Sequence, residues 1–316
     1  MNNAGDVFDN IADETGTMGD YKTGRQGEQF VLYATYKNLT LNGLISDTQT
    51  DNARSTFVFP STKLDLQRQF IDIGYQSALS DRWNFNINGS YHRHTSYIIL
   101  NAVSLAADDE GENFLLDINT QAKISDKIDF IAGGTHNLMN NDGSPTFTSN
   151  TNSLYTQINY QANPRLKLTS GLQYNKPENI PSNLSPRLSA IFQLNNHWQT
   201  KLLYSEAFRD ASPVERFISI PGILAGDPNL KPETISTLDV QFSYEKQHNS
   251  FAVTYFHSKQ NDLIVRSGSA PIQIINAGDI TYDGIELEGR WKLMPRLQFT
   301  GNLSYLTNED TMEMMT

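Results

Sequence analysis

The chain has 316 residues, a formal net charge of −11 at pH 7 and no cysteine. Its acidic balance, without any basic run, argues against nucleic acid as a partner, because phosphate binding depends on clustered lysine and arginine. The absence of cysteine excludes disulfides and thiolate metal sites. No apolar run reaches the roughly 18 to 20 residues that a membrane-spanning helix needs.

The N-terminal segment, residues 1–28, is polar and contains several glycines. It has no basic region followed by an apolar stretch, so we expect any export signal to be encoded upstream. The segment 19–24 has the glycine spacing of a phosphate loop, but Arg25 and Gln26 stand where lysine and serine or threonine are required. We therefore predict an irregular, extracellular loop over 1–28 and a β-structured domain over 29–316.

From residue 29 onwards, apolar and polar residues alternate with a period of two. In the clearest segment, Leu238, Val240 and Phe242 share one face while Asp239 and Gln241 share the other. The same alternation recurs in the segments 83–91, 114–121, 285–291 and 297–305. Runs of nine or more alternating residues indicate long half-buried β-strands and do not fit helical spacing.

The connections between these segments are alternately short and long. Short turns are predicted near 37–38, 80–81, 125–126, 163–164, 195–196, 247–248 and 294–295. Long links are predicted over 47–62, 99–112, 140–152, 176–184, 209–232 and 260–279. Outer-membrane barrels have this order of short periplasmic turns and long outside loops. The sequence thus predicts an all-β, transmembrane antiparallel β-barrel with about 14 strands present.

Several motifs in a fixed order carry a family resemblance. They are Ser185-Pro186-Arg187-Leu188-Ser189, Tyr204-Ser205-Glu206-Ala207-Phe208-Arg209, Asp227-Pro228-Asn229-Leu230-Lys231-Pro232-Glu233, Asn276-Ala277-Gly278 and Gly284-Ile285-Glu286-Leu287-Glu288. From about 184 to 306 the chain resembles the C-terminal half of TonB-dependent outer-membrane receptors. The resemblance implies a 22-stranded barrel filled by an N-terminal plug. This chain would supply about 14 of those strands and lack the plug with its TonB box, the first few strands and the last few.

The resemblance also implies a location and an activity. Such receptors lie in the Gram-negative outer membrane and take up scarce, bulky solutes, commonly metal chelates, with energy from the TonB-ExbB-ExbD system. The expected partners are therefore that system, a small-molecule metal chelate and outer-membrane lipid. We expect a transporter without a cofactor and not an enzyme.

Two other classes of function stay open. A soluble all-β binding protein is one, because an antiparallel sandwich also has one buried face and one wet face. An outer-membrane barrel enzyme is the other, but no Gly-x-Ser-x-Gly or His-Glu-x-x-His motif occurs. His92 and His94 lie two residues apart on one strand face, where they could chelate a metal. A polar pair facing the lumen explains them more simply, so no metal site is predicted.

Ligand-binding candidates concentrate in the longest link, since long loops on a rigid scaffold commonly carry recognition residues. Arg209, Glu215, Arg216 and Phe217 are predicted to contact the solute, with help from the links 99–112 and 260–279. Arg209 is the favoured residue for an anionic chelate, because a guanidinium binds carboxylate or catecholate oxygens in bidentate fashion. The apolar residues at 217–223 either contact the solute or pack onto neighbouring loops.

A second group of candidates faces the lumen or the plug. It consists of Arg187, Glu233, Glu286 and Glu288. The three glutamates alternate with apolar neighbours, and an ion pair with Arg187, Arg209 or Arg290 would satisfy them. No histidine lies between Phe208-Arg209-Asp210-Ala211 and Asp227-Pro228-Asn229-Leu230, where the family's haem receptors carry a ligating one. Haem is therefore disfavoured, and a ferric-siderophore-like chelate becomes the expected solute, with cobalamin or a glycan as alternatives.

Overall fold

A computed structural model describes residues 7–12, 18–22, 24–51, 62–100, 105–143 and 145–310. Its strands are β1 (Val7–Ala12), β2 (Met18–Lys22), β3 (Gly24–Tyr36), β4 (Leu39–Asp51), β5 (Thr62–Ser80), β6 (Trp83–Leu100), β7 (Leu105–Ser125), β8 (Ile128–Asn141), β9 (Phe147–Asn163), β10 (Leu166–Pro177), β11 (Asn183–Gln193), β12 (Trp198–Arg209), β13 (Ser219–Ile220), β14 (Leu224–Ala225), β15 (Glu233–Lys246), β16 (Asn249–Asn261), β17 (Ile264–Ser267), β18 (Ile272–Asn276), β19 (Ile280–Met294) and β20 (Leu297–Asp310). One short helix, α1, covers Pro213–Phe217. Within the described ranges, no helix has the length and hydropathy needed to cross a membrane.

Fourteen strands form one antiparallel sheet. Its order is β20-β19-β16-β15-β12-β11-β10-β9-β8-β7-β6-β5-β4-β3, so strands that follow each other in this sheet also follow each other along the chain. The four strands left out of this series between β12 and β19 form a separate small sheet in the order β13-β14-β18-β17. The topology is therefore a continuous series of hairpins, as the alternation of short and long links predicts.

By internal contacts the chain divides into two compact units. The first comprises 1–77, 85–118 and 135–151. The second comprises 78–84, 119–134 and 152–316, and it contains β10 to β20 together with α1 and the small sheet. The residues that form the candidate site described below all belong to the second unit.

The predicted hairpin pattern is confirmed. The large sheet has 14 strands, and it extends from Gly24 to Asp310. Its strands are longer than the roughly ten residues that cross a bilayer, because they run from 11 residues in β11 to 21 in β7. The prediction of a long link over 99–112 was wrong, since β6 ends at Leu100 and β7 begins at Leu105. Charged residues at 108–112 interrupt the apolar alternation, but they lie within β7.

The N-terminal segment also differs from the expected irregular loop. β1 and β2 pair as an antiparallel ribbon in which Val7 lies opposite Lys22, and β3 already begins at Gly24. A ribbon that lies in water needs no continuous apolar face, so it leaves only a weak period-two signal in the sequence. The other positions of 1–28 lie outside the described residues.

Exposure along the large sheet is inverted relative to a water-soluble protein. On β15 the apolar side chains of Leu238, Val240 and Phe242 are 37%, 41% and 43% exposed. The alternating polar side chains of Asp239 and Gln241 are less exposed than these neighbours. A sheet that presents its aliphatic and aromatic residues outward requires an apolar surrounding, because such a large apolar surface is unfavourable in water.

The exposed apolar side chains of β15 lie in register with apolar side chains of the neighbouring strands. Leu202, Val240, Tyr255, Ile285 and Tyr305 lie side by side on β12, β15, β16, β19 and β20. We call the face that carries this row the apolar face. Antiparallel pairing keeps each row on one face of the sheet.

The opposite face carries a matching row of polar side chains. Lys201, Gln241, Thr254, Glu286 and Ser304 lie opposite one another on the same five strands. The Gln241 amide donates to Thr254 Oγ1 at 3.1 Å within this row. We call this side the polar face, and the two rows together show a sheet with one wet side and one apolar side.

An aromatic cluster marks the short-turn end of the apolar face. Trp198 follows a short turn, and its ring stacks on Phe242 at 4.7 Å and packs at a tilt against Tyr244 at 4.8 Å between centroids. Aromatic residues with a polar edge concentrate at membrane–water interfaces. The cluster lies at the level where the sequence predicts the periplasmic edge of the apolar band.

The two faces predict opposite tolerance to an added charge. Val240→Arg places a guanidinium in the middle of the apolar face, which costs about 2 to 4 kcal/mol at the midplane of a bilayer. Gln241→Arg, the next residue, points into the polar row and should be tolerated. In the full-length protein, heat-modifiable mobility on gels should show an assembly defect for Val240→Arg alone. Equal assembly of the two variants would contradict the assignment of the faces.

Candidate functional site

The two longest links of the second unit fold together into one structure. Residues 210–232 contain α1, β13 and β14, and residues 262–279 contain β17 and β18. β14 pairs in parallel with β18, with Leu224 opposite Ile272, and joins the links into the small four-stranded sheet. We call these two links the loop module. It is a folded element at the long-loop end of the large sheet and not a pair of independent loops.

Local sequence accounts for the helix in this module. Ser212 is the N-cap, and its hydroxyl accepts from the Glu215 N–H at 3.2 Å. The Glu215 carboxylate accepts in return from the Ser212 N–H at 2.7 Å, which completes a capping box. Pro213 occupies the first turn, where its missing N–H costs nothing. The chain therefore enters α1 at a defined angle directly after β12.

Two glycines allow the module to turn back on itself. Gly222 has φ +72° between β13 and β14, a conformation that other residues rarely adopt. A Cβ at Gly226 would lie 2.6 Å from the Glu215 carbonyl oxygen, so only glycine lets the chain pass this close to α1. The Gly226 N–H donates to the Ile218 carbonyl at 2.8 Å, and the helix and β14 are thereby tied together.

The module has a small core of its own. Ala211, Ile218, Leu224, Leu230 and Ile274 are all at least 92% buried. The apolar residues at 217–223 are thus divided between the two roles that the sequence left open, because Ile218 is buried while Ile223 is 41% exposed. Phe217 is 40% exposed as well.

An ion-pair cluster anchors the module to the large sheet. Arg209 Nε donates to Glu233 Oε2 at 2.7 Å, and Arg209 Nη1 donates to Glu215 Oε2 at 2.8 Å. The other Glu233 oxygen accepts from the Ile264 N–H at 2.7 Å. We call these three side chains the Arg209 cluster. It connects the end of β12, the start of β15, α1 and β17.

Arg209 and Glu215 are predicted to contact solute, and Glu233 is predicted to face the lumen or the plug. The structure brings the three side chains together, and the ion pair between Glu233 and Arg209 that the sequence allows is present. Two of the three guanidinium nitrogens of Arg209, Nε and Nη1, are thereby engaged by carboxylates within the protein.

Electrostatics at this end of the sheet favour the ionised carboxylate of Glu215. Burial alone would raise the pKa of Glu215, but hydrogen bonds from Arg209 and Ser212 together hold the pKa below its ordinary value. Asp210 behaves oppositely, because burial raises the pKa of its carboxyl despite the nearby charge of Arg216. One oxygen of Asp210 is buried without a hydrogen-bond partner in the described residues.

Asn276 supplies a second anchor that the sequence analysis did not include among the site residues. Its side-chain oxygen accepts from the Lys231 N–H at 2.8 Å, and its amide donates to the carbonyls of Lys231 at 3.0 Å and Asp262 at 2.7 Å. The Lys231 ammonium also lies 3.7 Å from the Asp262 carboxylate. The only available signal was the position of Asn276 in a family motif, because its partners lie far away in the sequence.

Arg216 and Phe217 occupy the surface of the module. The Arg216 guanidinium donates to the Pro228 carbonyl at 3.1 Å and lies 4.8 Å from the centroid of the Phe217 ring. Arg216 therefore fixes the Asp-Pro-Asn-Leu turn beneath it and covers one face of the ring. Three of the four predicted ligand residues, Arg209, Glu215 and Arg216, bind partners within the protein through their charged groups. The fourth, Phe217, is uncharged and 40% exposed.

The remaining candidates lie on the polar face. Arg187 on β11 lies opposite Gly171 and Ser205, and Glu286 and Glu288 lie together on β19. No ion pair joins Arg187 to either glutamate in the part of the chain that is described. The strands β12, β15 and β16 separate β11 from β19 in the sheet order, so distance explains why they do not meet.

The two histidines weighed as metal ligands stack on each other. The ring centroids of His92 and His94 are 5.8 Å apart, and His94 Nε2 lies 3.3 Å from the Asp109 carboxylate. Among the described residues, no three histidine, aspartate or glutamate side chains come together as a metal site requires. The two histidines therefore belong to a network of polar side chains on the sheet.

Comparisons with known proteins agree with this architecture. The family described as "TonB dependent receptor-like, beta-barrel" matches residues 4–313. The siderophore receptor PirA from Pseudomonas aeruginosa has a similar structure, with a TM-score of 0.78 at 16% identity, over 91% of this chain and 57% of that chain. The FrpB iron transporter from Neisseria meningitidis gives a TM-score of 0.71 at 14% identity, over 97% of this chain and 55% of that chain.

A curated relative extends the match at the sequence level. The iron-regulated outer membrane virulence protein of Vibrio cholerae serotype O1 is 30% identical over 120 residues, which are 36% of this chain and 18% of that protein. The chain spans 57% and 55% of the two solved structures. At these low identities, the TM-scores show that the fold is shared.

The Arg209 cluster predicts that one arginine holds the loop module in place. Arg209→Ala leaves Glu215 and Glu233 without their shared cation, and removing one partner of such a pair destabilises its surroundings. Faster hydrogen–deuterium exchange is expected in peptides covering 212–230. Arg187→Ala is the matched control, because Arg187 is an exposed arginine of the same sheet. Equal exchange in both variants would show that the cluster does not anchor the module.

The depressed pKa of Glu215 predicts acid lability of the same anchor. A carboxyl with a lowered pKa in the folded state contributes fully above its ordinary value of 4.5. That contribution is lost as the pH falls through the lower, folded-state pKa. Exchange in 212–226, corrected for the intrinsic rate, should therefore rise as the pH falls below the ordinary value of 4.5 and through the lower, folded-state pKa. A Glu215→Gln variant should show the acid-type exchange already at neutral pH, and a wild-type profile in this variant would refute the assignment.

Proposed function

The chain belongs to the TonB-dependent receptor-like β-barrel family, and we propose that it is part of a receptor that imports a ferric-siderophore-like chelate. One observation carries the proposal: the fourteen-stranded sheet with its outward apolar face superposes on a siderophore receptor over 91% of this chain. The family is one of transport receptors, and its members lie in the Gram-negative outer membrane.

The proposed mechanism uses the two ends of the sheet differently. The loop module lies at the long-loop end, and in the proposal it receives the solute outside the cell. The polar face with Arg187, Glu286 and Glu288 lines the lumen and contacts a plug carried by the remainder of the receptor. The other strands of a 22-stranded barrel, the plug and the TonB box would belong to that remainder. The ribbon of β1 and β2 would form part of the outer loops.

Energy enters this scheme through the plug. A bound solute shifts the plug toward a form that TonB recognises only if it binds that form more tightly. The loop module supports this step because it is a folded element with a buried core of its own. Contacts with solute would therefore act on a defined structure. The partners of the proposal are the TonB-ExbB-ExbD system and a small-molecule metal chelate.

The proposal is tested by uptake of radioactive iron supplied as ferric siderophores. The full-length receptor is expressed in a Gram-negative host that lacks its own siderophore receptors, with and without a functional TonB. Iron should accumulate only when both the receptor and TonB are present. Accumulation without TonB would indicate a passive pore, and failure with every ferric chelate would refute chelate import.

A deletion connects uptake with the loop module. Removing 213–223 deletes α1, β13 and the following turn while leaving the strands of the large sheet intact, so high-affinity binding at cells should be lost. Heat-modifiable mobility checks that the variant still assembles. An assembled deletion variant with unchanged affinity would move the binding site to the plug or to other loops.

A further inference from the structure

The cations of the loop module are all committed to partners within the protein. Arg209 is bound by Glu215 and Glu233. Arg216 donates to a carbonyl and lies against an aromatic ring. Lys231 lies beside a carboxylate, and Arg266 is not without a partner either. Each basic side chain described in the module therefore has a partner in the protein with which an incoming anion would compete.

The acidic side chains outnumber the basic ones. Residues 209–233 and 262–279 contain six acidic and four basic side chains, an excess of two negative charges. Among the described residues, the Asp227 carboxylate accepts only from Asn229, a neutral residue, at 2.8 Å and 3.1 Å. The module itself thus carries a small net negative charge, which disfavours the approach of an anion by the same electrostatics that steer charged ligands toward proteins.

The module also exposes large apolar side chains. Val214, Phe217 and Ile223 are 45%, 40% and 41% exposed. Val214 and Phe217 are three residues apart on α1, so they lie on one side of the helical turn. These side chains lie outside the module core and contribute apolar contact surface on the side where solute arrives in the proposed function.

We infer that the loop module selects ferric chelates whose outer surface is apolar and whose net charge is not negative. Uncharged ferric trishydroxamates have this chemistry, whereas ferric tris-catecholates are trianions. A trianion would have to compete with Glu215 and Glu233 for Arg209, or approach the Asp227 carboxylate, which has no cationic partner among the described residues. An uncharged chelate can bury apolar surface against Phe217 and Ile223 at no electrostatic cost.

This inference rests on the proposed function and specifies its substrate class. It also replaces the expectation that Arg209 binds an anionic chelate. In the structure Arg209 is a positioning residue, because its Nε binds Glu233 at the start of β15 and its Nη1 binds Glu215 of α1.

The test compares two probes that differ in charge and share the same metal. Cells that express the full-length receptor are titrated with an uncharged ferric trishydroxamate and with a ferric tris-catecholate, both labelled with radioactive iron. The uncharged complex should bind at least about tenfold more tightly. Binding of the trianion should improve as salt is added, because salt screens the repulsion.

Two kinds of variant separate apolar contact from charge. Phe217→Ala and Ile223→Ala should each weaken binding of the uncharged complex by about threefold to tenfold, since each removes exposed apolar contact. Ser219→Ala is the control on the same module and should bind normally. Asp227→Asn keeps an acceptor for Asn229, removes one negative charge and should strengthen trianion binding relative to wild type.

The outcomes are distinguishable. A wild-type receptor that prefers the trianion, or that loses trianion binding with Arg209→Ala while the module keeps its hydrogen-exchange protection, overturns the inference and leaves chelate import standing. Equal affinity for both complexes also overturns it. A third outcome is that the receptor shows heat-modifiable assembly in cells but binds and imports no ferric chelate. This outcome contradicts both the proposed function and this inference.

Discussion

Backbone hydrogen bonding in an apolar medium is the constraint on which this structure depends. Hydrocarbon offers no partner for an N–H or a carbonyl, so each strand that crosses it must pair on both sides. Consecutive antiparallel hairpins meet that demand with the shortest connections, and the large sheet accordingly follows the chain order. Once the strands pair, the pleat assigns each residue to one face, and the rows through Val240 and Gln241 follow without further specification.

The long-loop end lies in a different solvent and follows a different logic. On the strands, apolar side chains point outward and polar side chains point toward the wet face. In the loop module the ordinary rule returns: Leu224 and Ile274 are buried, and charged residues surround them. Glu233 lies at the boundary, with a side chain only 12% exposed, and joins Arg209 to the Ile264 backbone. A charge cluster can be placed there because water still reaches it.

The difference between these two environments explains which parts of the structure could be predicted from the sequence. Period-two alternation reports on a surface that is uniform over many residues, so the strands, the turns and the polar placement of Glu286 could be predicted from it. The contacts of the loop module depend on single residues distant along the chain. Arg209 pairs with Glu233, 24 residues away, and Asn276 bonds to Lys231, 45 residues away. No periodicity encodes such pairs, and the same arginine could equally have faced a ligand.

The anchoring contacts of the loop module converge on one strand end of the large sheet. The Arg209 cluster joins α1 to the adjacent ends of β12 and β15, and Asn276 joins β18 to the segment that leads into β15. Both anchors meet at the start of β15, where Glu233 lies. In the proposed import function, a solute that favours one arrangement of the module would change the balance of hydrogen bonds at that strand end, because a ligand shifts an equilibrium only through unequal contacts with its two states. In that proposal, coupling between outside and lumen needs a folded module with polar attachments to the sheet and does not need a flexible loop.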